Sequence, residues 1–132
     1  MKNIQNEKKT DERRSHLSHA LCIKTKTWIE NEKRELLFGQ GKTEILECIE
    51  SLGSISKASE KLGMNYKKAW THIKILQHNM QDPMVETKAG NISVSGTTLT
   101  PKAKEFIQQY KKLQADIEAY ANKRFKEIFF KL

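Results

Sequence analysis

Residues 53–80 constrain the fold more than any other part of the chain. Two helical patterns meet there with almost nothing between them. Ser56 is a suitable N-cap, Ala58 and Leu62 share one side of a short helix over 56–62, and Gly63 closes it. Asn65 then caps a second helix that runs to about His78, before Gln81-Asp82-Pro83 breaks the pattern. The small Ala58 lets the two helices approach closely. This is the helix-turn-helix pattern, placed over 54–78. Short β-like pieces follow at 84–87 and 97–99, with a run of turn formers between them. They predict a hairpin over 84–99 beside the helices, in the position of a wing.

The second helix has two unlike sides. At 100° per residue, Ala69, Ile73, Leu76 and Met80 fall together and form the expected buried stripe. Lys67, Thr71, Lys74 and His78 fall opposite, and no apolar residue interrupts them. A helix that reads DNA needs such a face, because its donors must reach base edges and phosphates in the major groove. Tyr66, Lys68 and Trp70 flank it. The charge agrees: the chain carries 24 Lys and Arg against 16 Asp and Glu, a net charge of +8. Eight of those cations and three of the anions lie in residues 53–104. Such a surface favours a polyanion partner.

The segment 53–76, GSISKASEKLGMNYKKAWTHIKIL, resembles the winged helix-turn-helix of the LysR-type regulators. It is closer still to the N-terminal domain of the molybdate-responsive ModE regulators. The likeness rests on Gly53-Ser54-Ile55-Ser56, Ala58, Leu62-Gly63-Met64, Tyr66-Lys67 and Ala69-Trp70. Phe38-Gly39-x-Gly41 upstream and Leu99-Thr100-Pro101 downstream extend it over about residues 20–125. The resemblance implies a dimeric DNA-binding domain whose second motif helix enters the major groove. Carried over position by position, Ser54 and Ser56 sit at a helix start near a phosphate. Asn65 opens the reading helix, and Tyr66, Lys67 and Thr71 face bases. Lys68 and Lys74 are the expected phosphate ligands, and Lys88 sits on the wing. Trp70 has two readings: it packs against the wing, or it touches DNA. Both families carry an effector domain after this region. The sequence given stops at Leu132, so no molybdate or other small-molecule domain is expected within it.

Thr100-Pro101 is a strong helix start, and the last helix is expected over about 101–129. Ala103, Phe106, Tyr110, Leu113, Ile117 and Tyr120 are spaced 3, 4, 3, 4, 3, which makes an a/d seam. Pairing with a second copy would bury it, so Phe106, Tyr110, Leu113, Ile117 and Tyr120 are the expected dimer interface. The alternative is that this helix folds back on its own domain. Upstream, residues 20–38 alternate apolar and polar and read as a hairpin. Residues 1–18 are polar, without an apolar period, and read as a mobile tail or a frayed short helix.

Other signals are weaker. His16-x-x-His19-x-x-Cys22 has a metal-like spacing but no second ligand pair. Gly39-Gln-Gly41-Lys42-Thr43 lacks the first spaced glycine of a phosphate loop and fits a strand exit better. Cys48 falls beside the apolar stripe of the helix that starts near Lys42, where a buried reduced thiol is expected. No catalytic constellation, cofactor or metal is expected. There is neither a secretory leader pattern nor a membrane-length apolar run, so a cytoplasmic location is expected.

The expected architecture is therefore mainly α (α+β). A tail over 1–18 precedes a winged helix-turn-helix over 19–100 and a C-terminal dimerisation helix over 101–132. The expected function is sequence-specific binding of double-stranded DNA as a homodimeric transcriptional regulator. Two other readings fit the same residues: a sequence-neutral architectural DNA binder, and a winged-helix module that binds protein.

Overall fold

The computed structural model describes residues 4–87 and 96–131. The elements run α1 (Ile4–Ala20), β1 (Ile29–Glu30), β2 (Leu36–Phe38), α2 (Gln40–Leu52), α3 (Ile55–Lys61), α4 (Tyr66–Met80), β3 (Val85–Thr87), β4 (Thr97–Leu99) and α5 (Pro101–Phe130). The fold is mostly helical, with two small antiparallel two-stranded sheets, β1-β2 and β3-β4. The chain divides into two compact units: residues 27–111, and residues 1–26 with 112–132.

The unit 27–111 is built round one apolar core. Phe38, Ile49 and Met84 have no exposed surface, and Leu46, Ile73 and Leu76 are nearly as buried. Phe38 takes two aromatic rings edge-on, Phe106 at 4.7 Å and Tyr110 at 5.1 Å between centroids. Such edge-to-face packing adds about 0.5–1.5 kcal/mol per pair beyond the area buried. α2 stops at Gly53, whose φ of 67° lets its N–H reach back to the Ile49 carbonyl at 2.7 Å. The second sheet pairs Val85 with Leu99, Glu86 with Thr98 and Thr87 with Thr97, within the two short pieces expected at 84–87 and 97–99. Thr97 N–H also donates to the Gly53 carbonyl, which ties β4 to the α2–α3 turn. Thr100 Oγ1 donates to the Pro83 carbonyl and accepts from Ala103 N–H, so it caps α5. Residues 88–95, expected from the sequence as the tip of this hairpin, lie outside the described residues, and Lys88 with them.

Three expectations change in detail. The cap of α3 is Ser54, whose Oγ accepts from Lys57 N–H at 3.2 Å, so the helix starts at Ile55 rather than Ser56. The cap of α4 is Asn65 as expected, but the helix continues to Met80. The first hairpin is much shorter than residues 20–38: only Ile29–Glu30 and Leu36–Phe38 pair.

Phe106 and Tyr110 also change place. Tyr110 is buried, and its hydroxyl donates to the Thr27 carbonyl at 2.9 Å. Phe106 packs on Phe38 at the edge of the core. Ala103 and Ile107 are buried beside them. This part of α5 therefore spends its apolar face on its own domain. Burying Phe38 requires rings above it, and α5 supplies them.

In the unit 1–26 with 112–132, residues 4–20 form a helix rather than a tail. Glu, Lys, Arg and Gln are good helix formers even where no apolar stripe marks them. Residues 21–26 are extended but pair with no strand. Side chains of α5 take the partner's place. Asn122 accepts from Ile23 N–H at 2.7 Å and donates to the Ile23 carbonyl at 2.9 Å. Glu118 accepts from Thr25 N–H at 3.0 Å, and Gln114 donates to the Thr25 carbonyl at 3.0 Å. Gln114, Glu118 and Asn122 stand four residues apart, so one helix face reads alternate backbone groups of the extended chain.

Asn122→Ala removes both partners of Ile23 and leaves its half-buried amide unsatisfied, at a cost of about 1–3 kcal/mol. Hydrogen exchange is the check. Exchange at Ile23 should quicken about tenfold or more, with α4 amides unchanged. Unaltered protection at Ile23 would show that Asn122 does not hold this segment.

Candidate nucleic-acid interface

The candidate surface is the outer side of α4. The helix is anchored by Ala69, Ile73 and Leu76, each 2% exposed or less. Met80 is only partly buried at the end of the stripe. Gly63, at φ 64°, turns the chain between α3 and α4, and Met64 N–H closes the turn on the Ser59 carbonyl at 2.8 Å. Ala58 is 1% exposed, in keeping with the close helix approach its size permits.

With that side fixed, Lys67, Lys68, Thr71, Lys74 and His78 are all exposed. Tyr66 is half exposed at the start of the helix. Lys57 and Lys61 of α3 are exposed too. The far end of α4 has a different border. There an open groove is lined by Lys74, Ile75, His78 and Asn79 on one side and by Asn31, Glu32, Lys33 and Glu35 of the β1–β2 turn on the other. Asn31 holds this turn by accepting from Lys33 and Glu35 N–H at 3.0 Å each.

Several candidate residues already have a hydrogen bond. Asn65 Oδ1 accepts from Lys67 N–H at 2.8 Å, and Ser54 Oγ is taken by its cap, while Ser56 is exposed. Thr71 Oγ1 donates to the Lys67 carbonyl at 2.8 Å, so its lone pairs and methyl face outward. Trp70 is half-buried against the core. Its Nε1–H donates to the Tyr66 hydroxyl at 2.7 Å, and Lys74 Nζ lies 5.8 Å from its ring centroid.

Beneath α4 lies a feature that sequence reasoning missed. Lys42 is 6% exposed, and its ammonium turns inward to donate to the Leu36 carbonyl. Thr43 Oγ1 donates to the Gly39 carbonyl at 2.9 Å. His72 of α4 borders the same small void as Lys42. Its Nδ1 is the one buried side-chain nitrogen or oxygen without a partner among the described residues. Burial lowers the His72 pKa, and the charges of Lys42 and Lys68 lower it further. Burial lowers the Lys42 pKa as well, against the opposing pull of Glu35. The clue in the sequence is that His72 lies one residue from the stripe.

Of the expected dimer residues, Leu113 and Tyr120 are exposed and Ile117 is half-buried. Phe106 and Tyr110 belong to the core described above. No described helix is long and apolar enough to cross a membrane.

No protein-family model matches the chain. Curated relatives do. The chain is 28% identical over 86 residues to the molybdenum-pterin-binding protein MopB of Rhodobacter capsulatus, covering 65% of this chain and 32% of that protein. It is 31% identical over 75 residues to the molybdenum transport protein ModE of Azotobacter vinelandii, covering 57% and 28%. It is 28% identical over 82 residues to the transcriptional regulator ModE of Haemophilus influenzae, covering 62% and 32%. The chain thus spans under a third of the length of these relatives, and the likeness to ModE-type proteins covers more than half of its own.

The lowered His72 pKa sets the sign of a pH effect. The unfolded chain takes up a proton near pH 6.5 and the folded one resists it. The unfolded state then binds more protons, so stability falls as pH drops below about 6.5. By about pH 8 the imidazole is neutral in both states and contributes no slope. Denaturant unfolding between pH 7.5 and 5 should show this loss in the parent and less of it in His72→Gln. Parallel pH profiles for the two proteins would exclude His72 as its source.

Proposed function

We propose that this chain is a winged helix-turn-helix transcriptional regulator that binds double-stranded DNA as a homodimer. In this reading α3 and α4 form the motif, α4 enters the major groove, and the β3–β4 hairpin is the wing. The observation that carries it is the outer side of α4: Lys67, Thr71, Lys74 and His78 are exposed with no apolar side chain among them, on a helix anchored by the buried Ala69, Ile73 and Leu76. The regulatory role is supported by the likeness to a transcriptional regulator of the ModE type. The molybdenum in the names of the relatives is said of those longer proteins and forms no part of the proposal.

Each residue then has a role. Lys68 and Lys74 neutralise phosphates, as does Lys88 on the wing, and Ser56 adds a hydroxyl at the start of α3. Ser54 and Asn65 act through the helix ends they cap. Tyr66, Lys67 and Thr71 face bases. Thr71 suits an amino group or a thymine methyl, because its own proton is already committed to Lys67. Leu113, Ile117 and Tyr120 form the dimer seam, whereas Phe106 and Tyr110 belong to the core of their own domain.

The test separates phosphate contact from base contact. Lys74→Ala should weaken binding to all sequences and reduce the slope of log affinity against log salt by about 1. Thr71→Ala should change the preference between sequences by about 1 kcal/mol. Affinities measured by fluorescence anisotropy over several duplexes and salt concentrations decide it. Equal losses on every duplex for both variants would contradict this division of roles. A flat preference in the parent would favour the sequence-neutral reading.

A further inference from the structure

Tyr66, Trp70 and Lys74 stand at i, i+4 and i+8 on α4, so they line up along one side. The middle member is anchored, because Trp70 packs against the core. Its indole nitrogen is a donor and cannot accept. At 2.7 Å from the Tyr66 oxygen, the indole N–H occupies an acceptor site on that hydroxyl. The hydroxyl proton must then point away from Trp70. Tyr66 is half exposed, so its polarity is set before any partner arrives. Thr71 has the opposite polarity: its proton is spent on the Lys67 carbonyl, which leaves an acceptor outward.

We infer that Tyr66 donates a hydrogen bond to a base edge, and that Trp70 is the positioning residue that makes it a donor. This rests on α4 being the DNA-reading helix and deepens that reading. In the major groove adenine, guanine and thymine each present an acceptor, whereas cytosine presents only its amino donor. A hydroxyl fixed as a donor therefore rejects cytosine at the base it meets. Lys74, whose ammonium lies 5.8 Å from the centroid of the Trp70 ring, adds a cation–π contact to the same side chain.

Selection from random duplex DNA with the parent, Tyr66→Phe and Trp70→Phe tests this. Both variants keep an aromatic ring, and thermal melts check that each remains folded at the selection temperature. The parent should deplete cytosine at one position of each half-site by roughly threefold to tenfold, the range of one net hydrogen bond. Both variants should erase that depletion and leave the other positions unchanged. Trp70→Phe retains the Tyr66 hydroxyl, so a merely structural Trp70 would leave the depletion intact. Besides depletion that survives Trp70→Phe, three results overturn the inference while the parent still selects a site. One is cytosine enrichment that Tyr66→Phe abolishes, which makes the hydroxyl an acceptor. Another is a uniform loss of affinity with an unchanged profile, which places Tyr66 on a phosphate. The third is no effect of Tyr66→Phe at all. If the parent selects no site, the regulator reading falls and the inference with it.

Discussion

Ala69, Ile73 and Leu76 fix the rotation of α4 about its own axis. Each is 1–2% exposed, and burying an isoleucine or leucine side chain contributes about 1.5–3 kcal/mol. Turning the helix by a single residue would expose them and bring Lys74 toward the core. Which side chains face outward is therefore decided by the apolar ones that face inward. The caps at Ser54 and Asn65 and the left-handed turn at Gly63 then set where α3 ends and α4 begins.

The same core contains polar groups. Lys42 offsets part of its desolvation by bonding the Leu36 carbonyl, but His72 Nδ1 has no partner. Lys42 of α2 and His72 of α4 border the same small void, and both have pKa values lowered by burial. The packing that holds α4 is thus coupled to proton uptake. The exposed ion pairs from α5 to α2, Lys104–Glu50 at 3.1 Å and Lys111–Glu47 at 2.9 Å, add little by comparison.

Much of this was legible in the residues, for local reasons. Asn65, Thr100-Pro101 and Gly53 act within a turn of their own position, so their roles as caps and stops follow from sequence. The two sides of α4 follow from a 3.6-residue period, and the short β-like pieces at 84–87 and 97–99 marked the two strands of the hairpin. The misses share another cause. The alternation over residues 21–29 is real, but its main partner is the side-chain row Gln114, Glu118 and Asn122, roughly ninety residues away, which no local pattern announces. The 3-4 spacing of α5 reads the same whether the seam meets a second helix or its own domain, and Phe38 claims its first part. Helix α1 lacks an apolar face, so nothing in residues 4–20 marked it beyond weak propensity. For the candidate site, which side chains face outward could be read, but not the hydrogen bonds that set the polarity of Tyr66 and Thr71.

The central claim is that the outer side of α4 reads DNA in a two-fold assembly. Selection by the parent protein from random duplexes, near 0.15 M salt with excess polyanion competitor, tests it most directly, because lower salt flatters any basic protein. The account predicts an enriched site with two-fold symmetry and half-sites about one helical turn apart or a multiple of it. Retained DNA without enrichment, or no retained DNA at all, would contradict it.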